Sequence, residues 1–143
     1  MHQFVCRLVR STVVVALLCL VAEVGHSKPT LPPLPTAKLE ATDLVQTISQ
    51  GDRVDIPTNL REGRWTIIEF EADWCGSCKV LKPSLMSLIH AKQSVALRRI
   101  DIVSWDSPVA RQHDIQALPQ LHLYDGTRLI TSNRNEVMAI LRQ

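Results

Sequence analysis

With 143 residues, 45% of them hydrophobic and 21% charged, the chain suits one globular domain and is unlike a disordered or fibrous polymer. The formal net charge is +2, and Lys and Arg are interspersed with Asp and Glu, so no nucleic-acid partner is expected.

The first residues read as a targeting segment. Arg7 and Arg10 precede the apolar run "VVVALLCLVA", and small or polar residues follow in "EVGHSKP", the layout of a secretory signal peptide. The run is shorter than the roughly 20 residues that span a bilayer. Cleavage is expected near Gly25 or Ser27, with an uncleaved N-terminal anchor as the alternative. Cys19 would invite lipid attachment, but bulky Leu18 stands where a lipoprotein signal wants a small residue. Residues 1–27 are therefore assigned to a signal peptide, and the protein is expected in the periplasm or secreted. Residues 28–38 hold Pro29, Pro32, Pro33 and Pro35 and should form an extended tether. Residues 39–143 remain for the folded domain.

Within that domain, residues 42–50 place Leu44, Val45 and Ile48 on one helical face, predicting a short amphipathic helix ended by Gly51. "RVDI" predicts a brief strand before Pro57. "WTIIEFEA" is nearly continuous in apolar and β-branched residues, as in a strand covered on both faces, and Glu69 interrupts it. A helix follows through about Lys92, with Leu81, Leu85, Leu88 and Ile89 at helical spacing and Pro83 expected to kink it. "VALRRIDI" predicts a second buried strand, and "DSPVARQH" a helix capped by Ser107 with Pro108 at its first position. "QLHLY", Asp125-Gly126 and "RLIT" predict a hairpin, and "NEVMAILRQ" a closing helix.

Export would remove Cys6 and Cys19, leaving Cys75 and Cys78 in "WCGSC" as the domain's only pair. A bond between them closes a very small loop and restrains little of the unfolded chain, so a purely structural staple is disfavoured. Zinc wants four ligands, and no second cysteine pair accompanies this one; copper capture is likewise disfavoured, and no metal or organic cofactor is expected. At the junction of a buried strand and a helix, free backbone N–H groups and the helix dipole stabilise a thiolate on the first cysteine. Cys75 is the expected nucleophile. Cys78, one turn further in, is expected to be more shielded and to resolve the mixed disulfide.

The strand, "WCGSC", Pro83 five residues beyond Cys78, and "ALPQLHLYDG" before a hairpin together resemble the thioredoxin family over residues 39–143. The resemblance implies an α/β thioredoxin fold with a central mixed sheet flanked by helices, and a thiol–disulfide oxidoreductase. It also implies a cis Leu118-Pro119 bond against the dithiol, with the Leu118 backbone and Trp74 forming the substrate-docking surface. Glu69 matches an acidic position, usually Asp, six residues before the first cysteine. From the residues themselves, a carboxylate in an apolar strand is costly unless paired or used, and burial would raise its pKa toward that of a proton acceptor for Cys78. Glu71 and Asp73 read as solvated rim residues. The chain departs from the family at Ser77, where Pro is usual, at Glu71, where an aromatic is frequent, and in a short segment after Gly126. The expected function is reduction of protein disulfides by a monomer recharged by a membrane-borne thiol donor. A disulfide-forming oxidase and a non-catalytic partner- or metal-binding module are the rivals.

Overall fold

The computed structural model describes Leu31 and residues 33–143; the expected signal peptide lies outside the described residues. The described residues of the expected tether have no regular secondary structure. Among the described residues, no helix is long and apolar enough to cross a membrane.

The domain begins with a single helical turn, α1 (Ala41–Leu44), that runs directly into strand β1 (Val45–Gln50). This corrects the helix expected over residues 42–50. Val45, Thr47 and Ile48 are β-branched, and a neighbouring strand offers an open edge to pair with, so ladder hydrogen bonds outweigh a weak helical pattern. The strand expected at "RVDI" is also absent. There the Gln112 side chain donates to the Val54 carbonyl (2.8 Å) and accepts from its N–H (3.0 Å), standing in for a partner strand. A 3-10 turn at Pro57–Asn59 follows.

Strand β2 (Trp65–Glu71) is buried along nearly its whole length, as its apolar run predicts. Helix α2 (Gly76–Lys92) contains Pro83 without ending there, and it stops at Gln93, which takes the left-handed conformation (φ 53°). Strand β3 (Val95–Asp101) and the short helix α3 (Pro108–Gln112) follow, with the Ser107 hydroxyl accepting from the Ala110 N–H as foreseen. Strands β4 (Gln120–Asp125) and β5 (Arg128–Thr131) form the hairpin. Gly126 supplies the positive φ (56°) that the tight turn requires. Helix α4 (Arg134–Leu141) closes the domain, capped by Asn133.

The sheet order is β1-β3-β2-β4-β5. The first three strands are parallel, and β4 and β5 add antiparallel pairs, giving the mixed sheet expected. Alternation along the central strands divides the core. Ile68, Phe70, Ile100 and Ile102 pack with Ile56, Leu60, Val109, Ala110 and Ile115. The intervening residues Ile67, Leu97, Leu121 and Leu123 are also fully buried, while α2 and α4 touch each other and pack on β3 and β4. Helices thus cover a central strand whose end delivers the chain to the dithiol.

Candidate active site

Cys75 follows β2 by four residues and caps α2: its Sγ accepts the Cys78 N–H at 3.1 Å. The two cysteines form a disulfide. Both sit in the buried cluster under the sheet's end, Cys75 at 6% exposure and Cys78 at 2%. Their order matches the expected shielding, although the difference is small.

The peptide bond Leu118-Pro119 is cis, and Pro119 is buried. Ser77 links this loop to the dithiol. Its hydroxyl lies 3.4 Å from Cys75 Sγ and donates to the Leu118 carbonyl at 3.1 Å. In the sequence Ser77 stands out only as a missing proline, so its bonding role could not be read there.

On the other side, the Trp74 indole N–H donates to the Val103 carbonyl at 2.6 Å, and its ring tilts against Trp105 with centroids 5.2 Å apart. Trp74, Val103 and Trp105 are each about half exposed (49%, 51% and 47%) and make an apolar patch beside the dithiol. Val103 holds a positive φ (62°), a conformation rare for a β-branched residue and characteristic of functional loops. Neither Val103 nor Trp105 was legible as part of the site, because only folding brings the end of β3 beside Trp74.

Glu69 is 1% exposed and faces Arg99 across the β2–β3 register. The Arg99 Nε donates to Oε2 at 3.1 Å, and the same guanidinium pairs with Glu71. Glu71 is therefore an ion-paired, mostly buried residue rather than a solvated one; Asp73 is exposed. The second Glu69 oxygen, Oε1, has no hydrogen-bond partner. Burial pushes the Glu69 carboxyl above the ordinary carboxylate range, and Arg99 opposes that only in part. The sequence signal for Arg99 is the pair of charges, Arg98 and Arg99, inside the largely apolar "VALRRIDI". Among the described residues, no group of three or more His, Cys, Asp or Glu is arranged to hold a metal.

A disulfide at the mouth of a helix, with a carboxyl buried in the strand that leads into it, is built to exchange electrons with other sulfurs, and the class is that of the thiol–disulfide oxidoreductases. The thioredoxin family model matches residues 56–139, and the chain belongs to that family. It is 36% identical over 84 residues to a thioredoxin of Chlamydia trachomatis, covering 58% of this chain and 78% of the relative. It is 33% identical over 70 residues to the mitochondrial thioredoxin-2 of Schizosaccharomyces pombe, covering 49% of this chain and 52% of the relative, so it spans about half of that protein. The crystal structure of Trypanosoma brucei brucei thioredoxin superposes with a TM-score of 0.55 at 16% identity, covering 74% of this chain and 96% of that one. Mitochondrial thioredoxin 3 of Saccharomyces cerevisiae gives 0.53 at 24% identity, covering 67% and 93%. At these identities the structural likeness speaks to the fold alone.

Proposed function

We propose that this protein is an exported reductase of protein disulfides, with Cys75 as nucleophile and Cys78 as resolving thiol. The observation that carries the reading is the Cys75–Cys78 pair at the start of α2, with a buried carboxyl on the adjoining strand and an apolar surface beside it. Cys75 thiolate attacks a substrate disulfide, forms a mixed disulfide and expels one substrate thiolate. Cys78 then loses its proton and attacks the Cys75 sulfur, so that the second substrate thiolate leaves and the Cys75–Cys78 bond closes. Two electrons pass to the substrate. Glu69 takes the Cys78 proton at Oε1, the oxygen that Arg99 leaves free, through water.

Polypeptide substrates fit the surroundings. The Trp74–Val103–Trp105 patch lies on one side of the dithiol. A cleft of about 570 Å³ also begins at Ser77 and runs between α2 and α4, past Val80 and Met138. Export rests on the charged and apolar layout of residues 1–27. Outside the cytosol the dithiol needs a source of electrons, which we assign to a membrane-borne thiol donor. The protein acts as a monomer and needs no cofactor.

The test is mechanism-based trapping in an exporting host. Cys75→Ser should abolish exchange, and Cys78→Ser should accumulate mixed disulfides on non-reducing gels. Identical behaviour of the two variants would reverse or dissolve the assignment. Direction follows from titrating the couple in glutathione buffers: a value of about −270 mV supports the reductase, and one of about −120 mV the oxidase. Stoichiometric metal without exchange would leave only the binding module.

A further inference from the structure

We propose that Ser77 is a redox-keyed switch that withholds the Leu118 carbonyl from polypeptide in the oxidised protein and releases it in the reduced one. The inference rests on the dithiol reading above and adds to it a reason for substrate to bind before exchange and leave after it.

A serine hydroxyl carries one proton and can donate to one acceptor at a time. Two acceptors lie within its reach, the Leu118 carbonyl at 3.1 Å and Cys75 Sγ at 3.4 Å. In the disulfide the sulfur is a weak, uncharged acceptor, and the proton goes to the carbonyl, as the geometry records. Reduction adds two electrons to the Cys75–Cys78 bond and leaves Cys75 as a thiolate. A charged acceptor binds a donor about twice as strongly as a neutral one, so the hydroxyl turns to the sulfur.

The carbonyl it abandons is placed for use. Leu118 is half-buried at the rim of the dithiol, two residues before β4 begins, and Ser77 is its hydrogen-bond partner among the described residues. The β2–β4 ladder ends at the Phe70–Gln120 pair, so this group extends the line of the strand past its last rung. A freed carbonyl at a strand end accepts a backbone N–H from an extended segment. The reduced protein therefore offers polypeptide one more hydrogen bond than the oxidised protein does. The thiolate charge is spent when Cys75 forms the mixed disulfide, so the Ser77 hydroxyl competes for Leu118 again while substrate is held covalently, and release follows once Cys78 closes the Cys75–Cys78 bond. Ser77 is a positioning residue in this scheme, since it touches the nucleophile and a docking group and transfers neither electrons nor protons.

The expected size is that of one hydrogen bond, about fivefold in affinity. The probe is an insulin B chain with both cysteines replaced by serine, which can dock but not exchange. Calorimetry against the reduced and oxidised wild-type protein should show about fivefold tighter binding to the reduced form. In Ser77→Ala the two affinities should converge, through tighter binding to the oxidised form, and Ser77→Thr, which keeps the hydroxyl, should restore the difference. Two further readouts separate a switch from a merely structural serine. The Leu118 carbonyl carbon resonance should move with redox state in wild type and much less in Ser77→Ala. Thiolate absorbance at 240 nm should appear at higher pH in Ser77→Ala than in wild type or Ser77→Thr. Equal affinity of the two wild-type forms, no measurable binding to either, or a difference that survives in Ser77→Ala would overturn the proposal. Reduction of bis(2-hydroxyethyl) disulfide, which has no backbone amide, is the control: its failure in wild type would instead overturn the dithiol reading.

Discussion

Glu69 carries two demands at once, because the carboxyl proposed to serve Cys78 is also a charge held in the centre of a sheet. Burial raises its folded pKa above the unfolded value of about 4.3, with Arg99 offsetting part of the rise. As pH climbs through the interval between those two values, the unfolded chain releases its proton first, and stability falls until the folded pKa is passed. Glu69→Leu should therefore gain urea resistance relative to wild type between pH 4.5 and pH 8. The same variant should reduce a model disulfide about tenfold more slowly at neutral pH if Glu69 is the acceptor proposed for Cys78. A variant whose offset from wild type is the same at both pH values, with an unchanged rate, would make Glu69 an ordinary ion-pair residue. The carboxyl itself was legible in the sequence because a lone acid in an apolar strand demands an explanation. Its partner was not, since the pairing with Arg99 depends on a register between strands thirty positions apart.

The elements the sequence revealed share a property, which is that their signals are local and redundant. β2 is rich in apolar and β-branched residues, α2 repeats leucines at helical spacing, and α3 carries both a serine cap and a proline at its first position. β1 had no such redundancy. It is an edge strand with only Ser49 buried, so it lacks the alternation that marks a half-covered strand, and its identity comes from pairing with β3. Where a signal is local, a single substitution should act locally. Ser107→Ala removes the cap of α3 and should cost about 1 kcal/mol, a drop of a few degrees in melting temperature. Exchange with bis(2-hydroxyethyl) disulfide should be unaffected, because α3 supports the cluster beneath the dithiol and supplies none of the residues proposed to react. An unchanged melting temperature would show that water or a neighbouring backbone group replaces the cap.

Across the whole domain, the core that underlies the dithiol is bracketed by imidazoles. His113, which caps the C-terminal end of α3, and His122 on β4 both lie against the Phe70 ring, each with centroids 5.3 Å away. His113 Nε2 is buried without a hydrogen-bond partner. Burial lowers the pKa of both rings, with a Val54 backbone contact opposing the effect at His113 and repulsion from His113 adding to it at His122. The unfolded chain therefore takes up these protons first as pH falls below about 6.5. Stability should decline from there until the folded pKa values are passed, by at most about 1.4 kcal/mol per pH unit for each proton. This runs opposite to the Glu69 effect. In wild type the two oppose each other wherever their pH windows overlap, which hides either one in a single melt. Removing one side exposes the other: His113→Leu should raise the urea midpoint more at pH 5 than at pH 8. It should also lift the titration of His122 by removing the neighbouring charge, an effect visible as a shift of that ring's proton resonances. A midpoint gain of the same size at both pH values, with His122 unmoved, would mean that the imidazoles titrate independently of folding and that acid sensitivity arises elsewhere in the molecule.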